Sequence, residues 1–293
     1  MWYQQLRIGG MIIMNFYDKY VELCGNLKDK PDRVTPYKID YLHKIIKDSK
    51  VYKFISFDGD ESLTRTKINT LKSKKIWFSF YKTLNDETEF QIKYNVKKIS
   101  NKTNRSIDNV HLLVNFLTEM YDVYSLTYEY QDYMWRDYAT NGNGICIQFN
   151  VGNFDYLYPV EYVEKSRIDF NKMIIAAINE GDVSLSIIPW VIKNPYNMTA
   201  SKDSTSEKEV RMLYCPYDNG EVNAGRLQMN IKERCGYKGI AKPYSEFDLN
   251  ISKVIIGDKC DRKIGIELEQ YFQENKIPYE YLSCISEEKL EVS

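Results

Sequence analysis

The sequence predicts an α+β fold with a mixed, mainly antiparallel central sheet and helices on its flanks. Runs of β-branched and aromatic residues alternate with segments whose apolar residues recur every three or four positions, the patterns of strands and helices. One stretch, Tyr121–Phe149, holds an apolar run, a short aromatic helix, a glycine turn and a second strand in close succession. The apolar share of 43% is enough for a core in a chain of 293 residues.

Residues 1–50 are predicted to form a helical N-terminal extension, and residues 51–293 a single α+β domain. Within the extension, Asn15–Cys24 places its apolar residues on one helical face. The polar segment Lys28–Pro36 contains two prolines and predicts a loop, after which a second short helix begins at Ile39.

The first half of the main domain predicts a strand, a helix and a second strand. Val51–Phe57 is rich in residues that favour strands, Glu61–Lys72 follows as an amphipathic helix, and Ile76–Phe80 returns as a strand. The charged, Asn-rich segment Lys97–Arg105 predicts a loop. Ile107–Tyr121 carries an apolar stripe at helical spacing and predicts a helix.

The second half begins with the Tyr121–Phe149 stretch, in which Asn-Gly pairs at Asn141–Gly144 tolerate positive φ and allow a sharp reversal. The remaining predicted elements are a strand over Tyr156–Val163, a helix from Phe170 to Ile178, a turn-rich connection over Pro189–Asp203, a strand over Ile251–Gly257, a helix over Lys263–Asn275 and a strand over Tyr279–Ile285.

The composition excludes several function classes. A net charge of −1 argues against broad electrostatic capture of nucleic acid or membrane, although a local basic patch stays open. The six cysteines form no Cys-x-x-Cys pair and only two histidines occur, so we expect no metal site and a reduced, cytoplasmic protein. No apolar run is long enough to cross a bilayer, and we expect no membrane partner.

The most informative charges lie late in the chain, at Glu207, Glu209 and Arg211. On a strand these three residues would share one face, because side chains alternate. Two carboxylates and a guanidinium on that face could hold ribose hydroxyls and stabilise an oxocarbenium-like transition state. Two other interpretations stay open: a capped helix start, since Ser204-Thr205-Ser206-Glu207 fits a capping box, or a solvated, salt-bridged strand.

Several of these segments together resemble a bacterial family catalogued as domain of unknown function twenty-nine seventy-one. The resemblance spans Val51 to Ile285, with departures at Ser204, where members often have tryptophan, and at Asn143, where many have histidine. The segments that carry it are Val51–Phe54, Ile76–Ser79, Leu84–Asp86, Tyr124–Leu126, Met134–Ala139, Gly144–Phe149, Glu207–Arg211 and Val254–Gly257.

The order of elements is also similar to the ADP-ribosyltransferase-like fold. That likeness implies NAD as substrate, with Glu209 as the principal catalytic residue assisted by Glu207 and with Arg211 beside them. The residues expected to shape the NAD pocket are Tyr52, Lys53, Ser79, Trp135 and Tyr138. Each of these has an ordinary structural alternative, such as core packing for the two aromatic residues on the short helix.

Two hypotheses follow. The first is NAD-dependent ADP-ribosyl transfer or NAD cleavage by a bacterial stress or phage-defence effector, with a protein or a nucleic acid as candidate acceptor. The second is a non-catalytic sensor or protein-interaction module that retains the fold, which the departures at Ser204 and Asn143 motivate. Pocket geometry discriminates between them, because a Glu209 that is locked in a salt bridge with Arg211 and adjoins no cavity would favour the second.

Overall fold

The structure is a computed structural model that describes residues 7–8, 11–12, 16–25, 33–58, 60–84, 89–118, 120–197, 202–216 and 239–282. Its contacts divide the chain into two compact units that interleave along the sequence. The first unit consists of Met1–Tyr41, Asp86–Met120 and Glu161–Lys202, and the second of Leu42–Asn85, Tyr121–Val160 and Asp203–Ser293. The division at residue 50 stays a prediction.

The fold is mixed α+β, with a mainly antiparallel central sheet and flanking helices, as predicted. The strands are β1 (Arg7–Ile8), β2 (Met11–Ile12), β3 (Lys50–Ser56), β4 (Lys75–Phe80), β5 (Asp122–Thr127), β6 (Gly144–Val151), β7 (Leu157–Pro159), β8 (Glu161–Tyr162), β9 (Ile192–Lys193), β10 (Tyr196–Asn197), β11 (Lys202–Asp203), β12 (Glu209–Tyr214), β13 (Gly239–Pro243), β14 (Leu249–Ile256) and β15 (Tyr279–Tyr281). The helices are α1 (Phe16–Gly25), α2 (Val34–Ile45), α3 (Glu61–Lys72), α4 (Val96–Thr103), α5 (Ile107–Thr118), α6 (Met134–Tyr138), α7 (Phe170–Glu180), α8 (Ile188–Val191) and α9 (Arg262–Glu274).

Among its described residues, the second unit contains a nine-stranded sheet that forks at β5. One edge of β5 pairs along its whole length with β12, which also pairs with β7. The other edge of β5 pairs with β4 at Val123 and with β3 only at Thr127. One arm of the fork continues from β4 to β13, and the other continues through β3, β6, β14 and β15. Every pairing in this sheet is antiparallel except that of β14 with β15.

The turn between α6 and β6 forms where the Asn-Gly pairs predict it. Asn141 and Gly142 adopt positive φ values of 54° and 94°. The Phe57 N–H donates to the Asn143 carbonyl at 2.9 Å, which fixes the turn at the end of β3. A Cβ added to Gly144 would lie 2.2 Å from the carbonyl oxygen of Ile55, so close pairing of β3 with β6 requires glycine there.

Four predicted segments are wrong in detail. α2 begins inside the predicted loop Lys28–Pro36, because proline is tolerated in the first turn of a helix. Lys97–Arg105 is mostly the helix α4 rather than a loop. The single strand predicted over Tyr156–Val163 is divided between β7 and β8, which belong to different sheets. The connection Pro189–Asp203 contains α8 and three short strands, β9 to β11.

In the first unit, an aromatic cluster surrounds Phe16 at the start of α1. Its ring lies 4.6 Å from that of Tyr17, 5.1 Å from that of Tyr37 and 4.5 Å from that of Tyr41. The Tyr37 hydroxyl donates to the Phe16 carbonyl at 3.2 Å, which ties α2 to α1. Among the described helices of the chain, none combines the length and apolar character that a bilayer span requires.

Candidate functional site

A row of side chains runs across one face of the forked sheet, from β12 to β6. The strand register places Glu209 opposite Thr127, Thr127 opposite Tyr52, and Tyr52 opposite Gln148. Directly paired residues share a face and neighbouring strands lie about 4.8 Å apart, so Glu209 and Tyr52 are separated by about 10 Å. Arg211 lies on the same face as Glu209.

Glu209 and Arg211 form a buried, bidentate ion pair. The Arg211 Nε donates to Glu209 Oε1 at 2.7 Å, and its Nη2 donates to Oε2 at 3.1 Å. The two residues are 6% and 1% exposed, so the solvated-strand interpretation is wrong for this pair. The paired guanidinium fixes the orientation of the carboxylate and compensates its charge where water cannot.

Glu207 precedes the strand instead of lying on it. A 3₁₀ turn over Ser204–Glu207 is followed by Lys208 in the left-handed region, with φ of 49°, and only then does β12 begin. Asp203 caps this turn by accepting from the Thr205 N–H at 2.9 Å. The expectation that Glu207 shares the strand face of Glu209 is therefore wrong, because the cap and the left-handed residue turn the chain between them.

Glu207 is nevertheless buried, at 6% exposure, and its carboxylate contacts α6. The Tyr138 hydroxyl donates to Glu207 Oε1 at 2.5 Å, while the Tyr138 side chain as a whole is 38% exposed. A charge-assisted hydrogen bond from a half-exposed phenol places this carboxylate just beneath the surface. The end of α6 is thereby tied to the acidic turn.

Lys53 reaches into the fork between β3 and β4. Its Nζ donates to the Ser125 carbonyl at 2.9 Å and lies 4.8 Å from the centre of the Tyr124 ring. The register leaves Ser125 without a paired residue on this edge of β5, so the ammonium satisfies a carbonyl that the diverging strands leave open. Burial lowers the Lys53 pKa to about 8, against the opposing attraction of Glu209.

The other predicted pocket residues have different surroundings. Trp135 is buried at 4% exposure, and its ring packs edge-on against that of Phe54 at 5.3 Å. Its Nε1 donates to the Tyr130 hydroxyl at 2.8 Å. Tyr52 is half-buried and contacts the Tyr130 ring at 5.7 Å, and burial raises its pKa. Ser79 lies opposite Val123 on β5, about 13 Å along that strand from Thr127.

The structure therefore places Glu209, Arg211 and Tyr52 on one sheet face and ties Glu207 to Tyr138. Lys53 follows Tyr52 on β3, so its side chain leaves the strand on the opposite face and reaches the fork from there. Trp135 serves the core, and Ser79 lies further along the fork. The sequence analysis missed Thr127, which stands between Tyr52 and Glu209 at 3% exposure. The sequence analysis gave Ser204 as the start of a capping box, but Asp203 caps this turn, and the buried Ser204 Oγ has no hydrogen-bond partner in the structure. Only the strand register identifies Thr127, because its local sequence is that of any strand end.

Within the part of the chain that the structure describes, no group of three or more His, Cys, Asp and Glu side chains is arranged to hold a metal ion. The four described cysteines, Cys24, Cys146, Cys215 and Cys260, are free thiols. Asn85, Asp86, Cys235 and Cys284, which the sequence analysis considered, lie outside the described residues.

Comparisons with protein-family models, with curated proteins and with solved structures find no match for this chain. The resemblance to domain of unknown function twenty-nine seventy-one, and the likeness to the ADP-ribosyltransferase-like fold, thus stay predictions from the motifs and the order of elements.

Proposed function

We propose that the second unit binds NAD and cleaves its nicotinamide–ribose bond, either hydrolytically or with transfer of ADP-ribose to an acceptor. The observation that carries the proposal is the buried pair of Glu209 and Arg211, which shares a sheet face with Tyr52 beside the fork. Buried charges of this kind are costly unless paired, so they are uncommon without a structural or functional role.

In this reaction the bond from ribose C1′ to the pyridinium nitrogen breaks, and its electron pair stays on nitrogen to give neutral nicotinamide. The ribosyl cation is captured by water or by an acceptor nucleophile, which releases a proton. Glu209, oriented by Arg211, would stabilise the cation or activate the acceptor, and Glu207, held by Tyr138, would assist. Tyr52 would contact the ribose from the same face, whereas Lys53, on the opposite face of β3, is given no role in the pocket.

The test is incubation of the full-length protein with NAD and quantification of released nicotinamide by chromatography. Glu209→Gln is expected to abolish release, and Tyr138→Phe to lower it by removing the donor to Glu207. Glu246→Gln is the matched control, because that carboxylate is exposed and pairs only loosely with Lys242 at 3.8 Å. No release from the wild-type protein with protein, DNA or RNA acceptors present would refute the proposal.

Glu209→Gln could act by unfolding the protein, since it removes the negative charge that faces the buried Arg211 guanidinium. Tyr138→Phe avoids this difficulty because the ring is half-exposed and keeps its packing. Thermal unfolding of each variant by circular dichroism separates loss of activity from loss of fold.

We further propose that the protein acts in the cytoplasm as an effector of bacterial stress or phage defence.

A second candidate, the non-catalytic sensor or interaction module, is favoured by the ion pair itself. Both oxygens of Glu209 already accept from Arg211, so the carboxylate is occupied in the absence of ligand. This candidate predicts that NAD binds without turnover or does not bind at all. Calorimetric titration with NAD, run beside the nicotinamide assay, discriminates between the two.

A further inference from the structure

The segment Lys93–Arg105 in the first unit carries a concentration of positive charge. It contains five cations and no acidic residue, in a chain whose totals of 40 basic and 41 acidic residues nearly balance. We call this set the basic patch. Its members, all of them exposed, are Lys93, Lys97, Lys98, Lys102 and Arg105.

Within the described residues, no member of the basic patch forms an ion pair with a carboxylate. The Asp169 carboxylate is influenced by the charge of the basic patch. Its pKa is lowered chiefly by the hydrogen bond from the Lys172 N–H and to a smaller extent by the charge of Lys98. Lys172 is itself an exposed cation on α7 and extends the positive surface. The carboxylates of the protein therefore leave most of the positive charge of the basic patch uncompensated.

The patch is built on a rigid support. Asn95 caps α4 by accepting from the Lys98 N–H at 3.0 Å, and its own N–H donates to the Asn171 side chain of α7 at 2.6 Å. Ile99 is fully buried under the helix. The Ser100 hydroxyl donates to the Arg105 carbonyl at 2.6 Å, which holds the last cation beside α4. The backbone positions from which the charges extend are therefore fixed.

This arrangement is electrostatically unfavourable in the free protein. Lys98 and Lys102 are four residues apart on one helical face, where like charges destabilise a helix by about 0.2 to 0.5 kcal/mol. A binding partner with regularly spaced negative charge would reverse this repulsion. Asn101 and Asn104, both exposed between the cations, add hydrogen-bond donors that suit phosphate oxygens.

We infer that the basic patch on α4 binds the sugar–phosphate backbone of a nucleic acid, without base specificity. An anionic membrane fits less well, because interfacial helices insert an apolar face, whereas the two apolar residues of α4, Val96 and Ile99, are half-buried and fully buried in the protein. An acidic protein would supply fewer and less regular charges than a phosphate backbone does. This inference is independent of NAD chemistry.

The experiment measures binding of the full-length protein to a fluorescein-labelled single-stranded DNA and to a labelled duplex, by fluorescence anisotropy between 50 and 300 mM salt, a range chosen to resolve counterion release. Binding should weaken with salt, and the slope of log affinity against log salt should reach about −3.5 on the single strand and about −4.5 on the duplex if the five cations contact phosphates.

The variant Lys97→Gln/Lys98→Gln/Lys102→Gln removes three charges from the patch and keeps good helix formers. It should flatten the salt slope by about 2 to 3 and weaken binding about tenfold or more at low salt. The matched control, Lys44→Gln/Lys259→Gln/Lys263→Gln, changes the net charge equally at exposed lysines of the second unit and should leave both quantities within twofold of the wild type.

Three results would overturn the inference. One is absence of anisotropy change at 50 mM salt with either DNA. Another is an equal effect of the patch variant and the control variant, which would indicate non-specific charge attraction. The third is patch-dependent binding of polyglutamate or of phosphatidylserine vesicles that exceeds binding of DNA. Nicotinamide release plays no part in this test, so its outcome and that of the proposed function are separable.

Discussion

Glu161 gives the sharpest quantitative prediction. Its carboxylate accepts from the Tyr17 N–H at 3.1 Å, in the first turn of α1, and is half-buried. Burial raises its pKa from 4.5 to about 7, the helix N–H opposes that rise, and Asp18 adds to it. Burial raises the pKa values of the Tyr37 and Tyr41 phenols, and the negative charge of Glu161 adds to that rise.

The sign follows from proton linkage. A carboxyl whose pKa is raised by folding contributes stability that is fully present below about pH 4.5 and is lost as pH rises through 7. The rise in the Glu161 pKa from 4.5 to about 7 corresponds to about 3 kcal/mol of unfolding free energy at about 1.4 kcal/mol per pKa unit. Residual solvent contact reduces this contribution to about 2 kcal/mol. Glu161→Gln removes the ionisation and keeps a carbonyl oxygen for the Tyr17 N–H.

The assay is urea unfolding of wild type and Glu161→Gln at intervals from pH 4.5 to pH 8, followed by circular dichroism. The two proteins should have similar stability at the acidic end, and the variant should become more stable by about 2 kcal/mol near pH 8. Glu164→Gln is the control, since Glu164 is 55% exposed and pairs with Arg167 on the surface. A difference between wild type and Glu161→Gln that does not change with pH would refute the reasoning.

Two further predictions concern the sheet. Arg211→Met removes the guanidinium that pairs with the buried Glu209 carboxylate, and it should lower the unfolding free energy by about 3 to 5 kcal/mol in urea titrations. The double variant Glu209→Gln/Arg211→Met should recover part of the loss, and equal stability of the two variants would contradict this account. Gly144→Ala pushes a methyl group into the Ile55 carbonyl and should lower the melting temperature strongly, whereas Gly25→Ala, which meets nothing within 4 Å, should leave it unchanged or slightly raised.

Local patterns were sufficient for the element type through most of the chain. The strand formers of Val51–Phe57 and Ile76–Phe80 appear as β3 and β4, and the stripe of Ile107–Tyr121 appears as α5. The Asn-Gly turn before Gly144 has the positive φ that its residues favour. These predictions succeeded because side-chain periodicity and backbone freedom depend on near neighbours.

Local patterns failed where a distant partner decides the conformation. Lys97–Arg105 looks like a solvated loop, yet one buried residue, Ile99, and the hydrogen bond from Asn95 to Asn171 stabilise it as a helix. β13, whose residues give a weak strand signal, exists because it pairs along β4. Glu207 was misplaced because its backbone is set by Asp203, which competes with the strand through a local cap.

The order of residue types therefore determines the α+β class, the glycine turn and the concentration of charge at Glu207–Arg211 and at Lys93–Arg105. The fork of the sheet, the row that joins Glu209 to Tyr52 and the entry of Lys53 between the arms are decided only when strands far apart in the chain pair. The reason is physical: alternation assigns a side chain to a face, but the neighbour it meets there depends on register, which long-range packing selects.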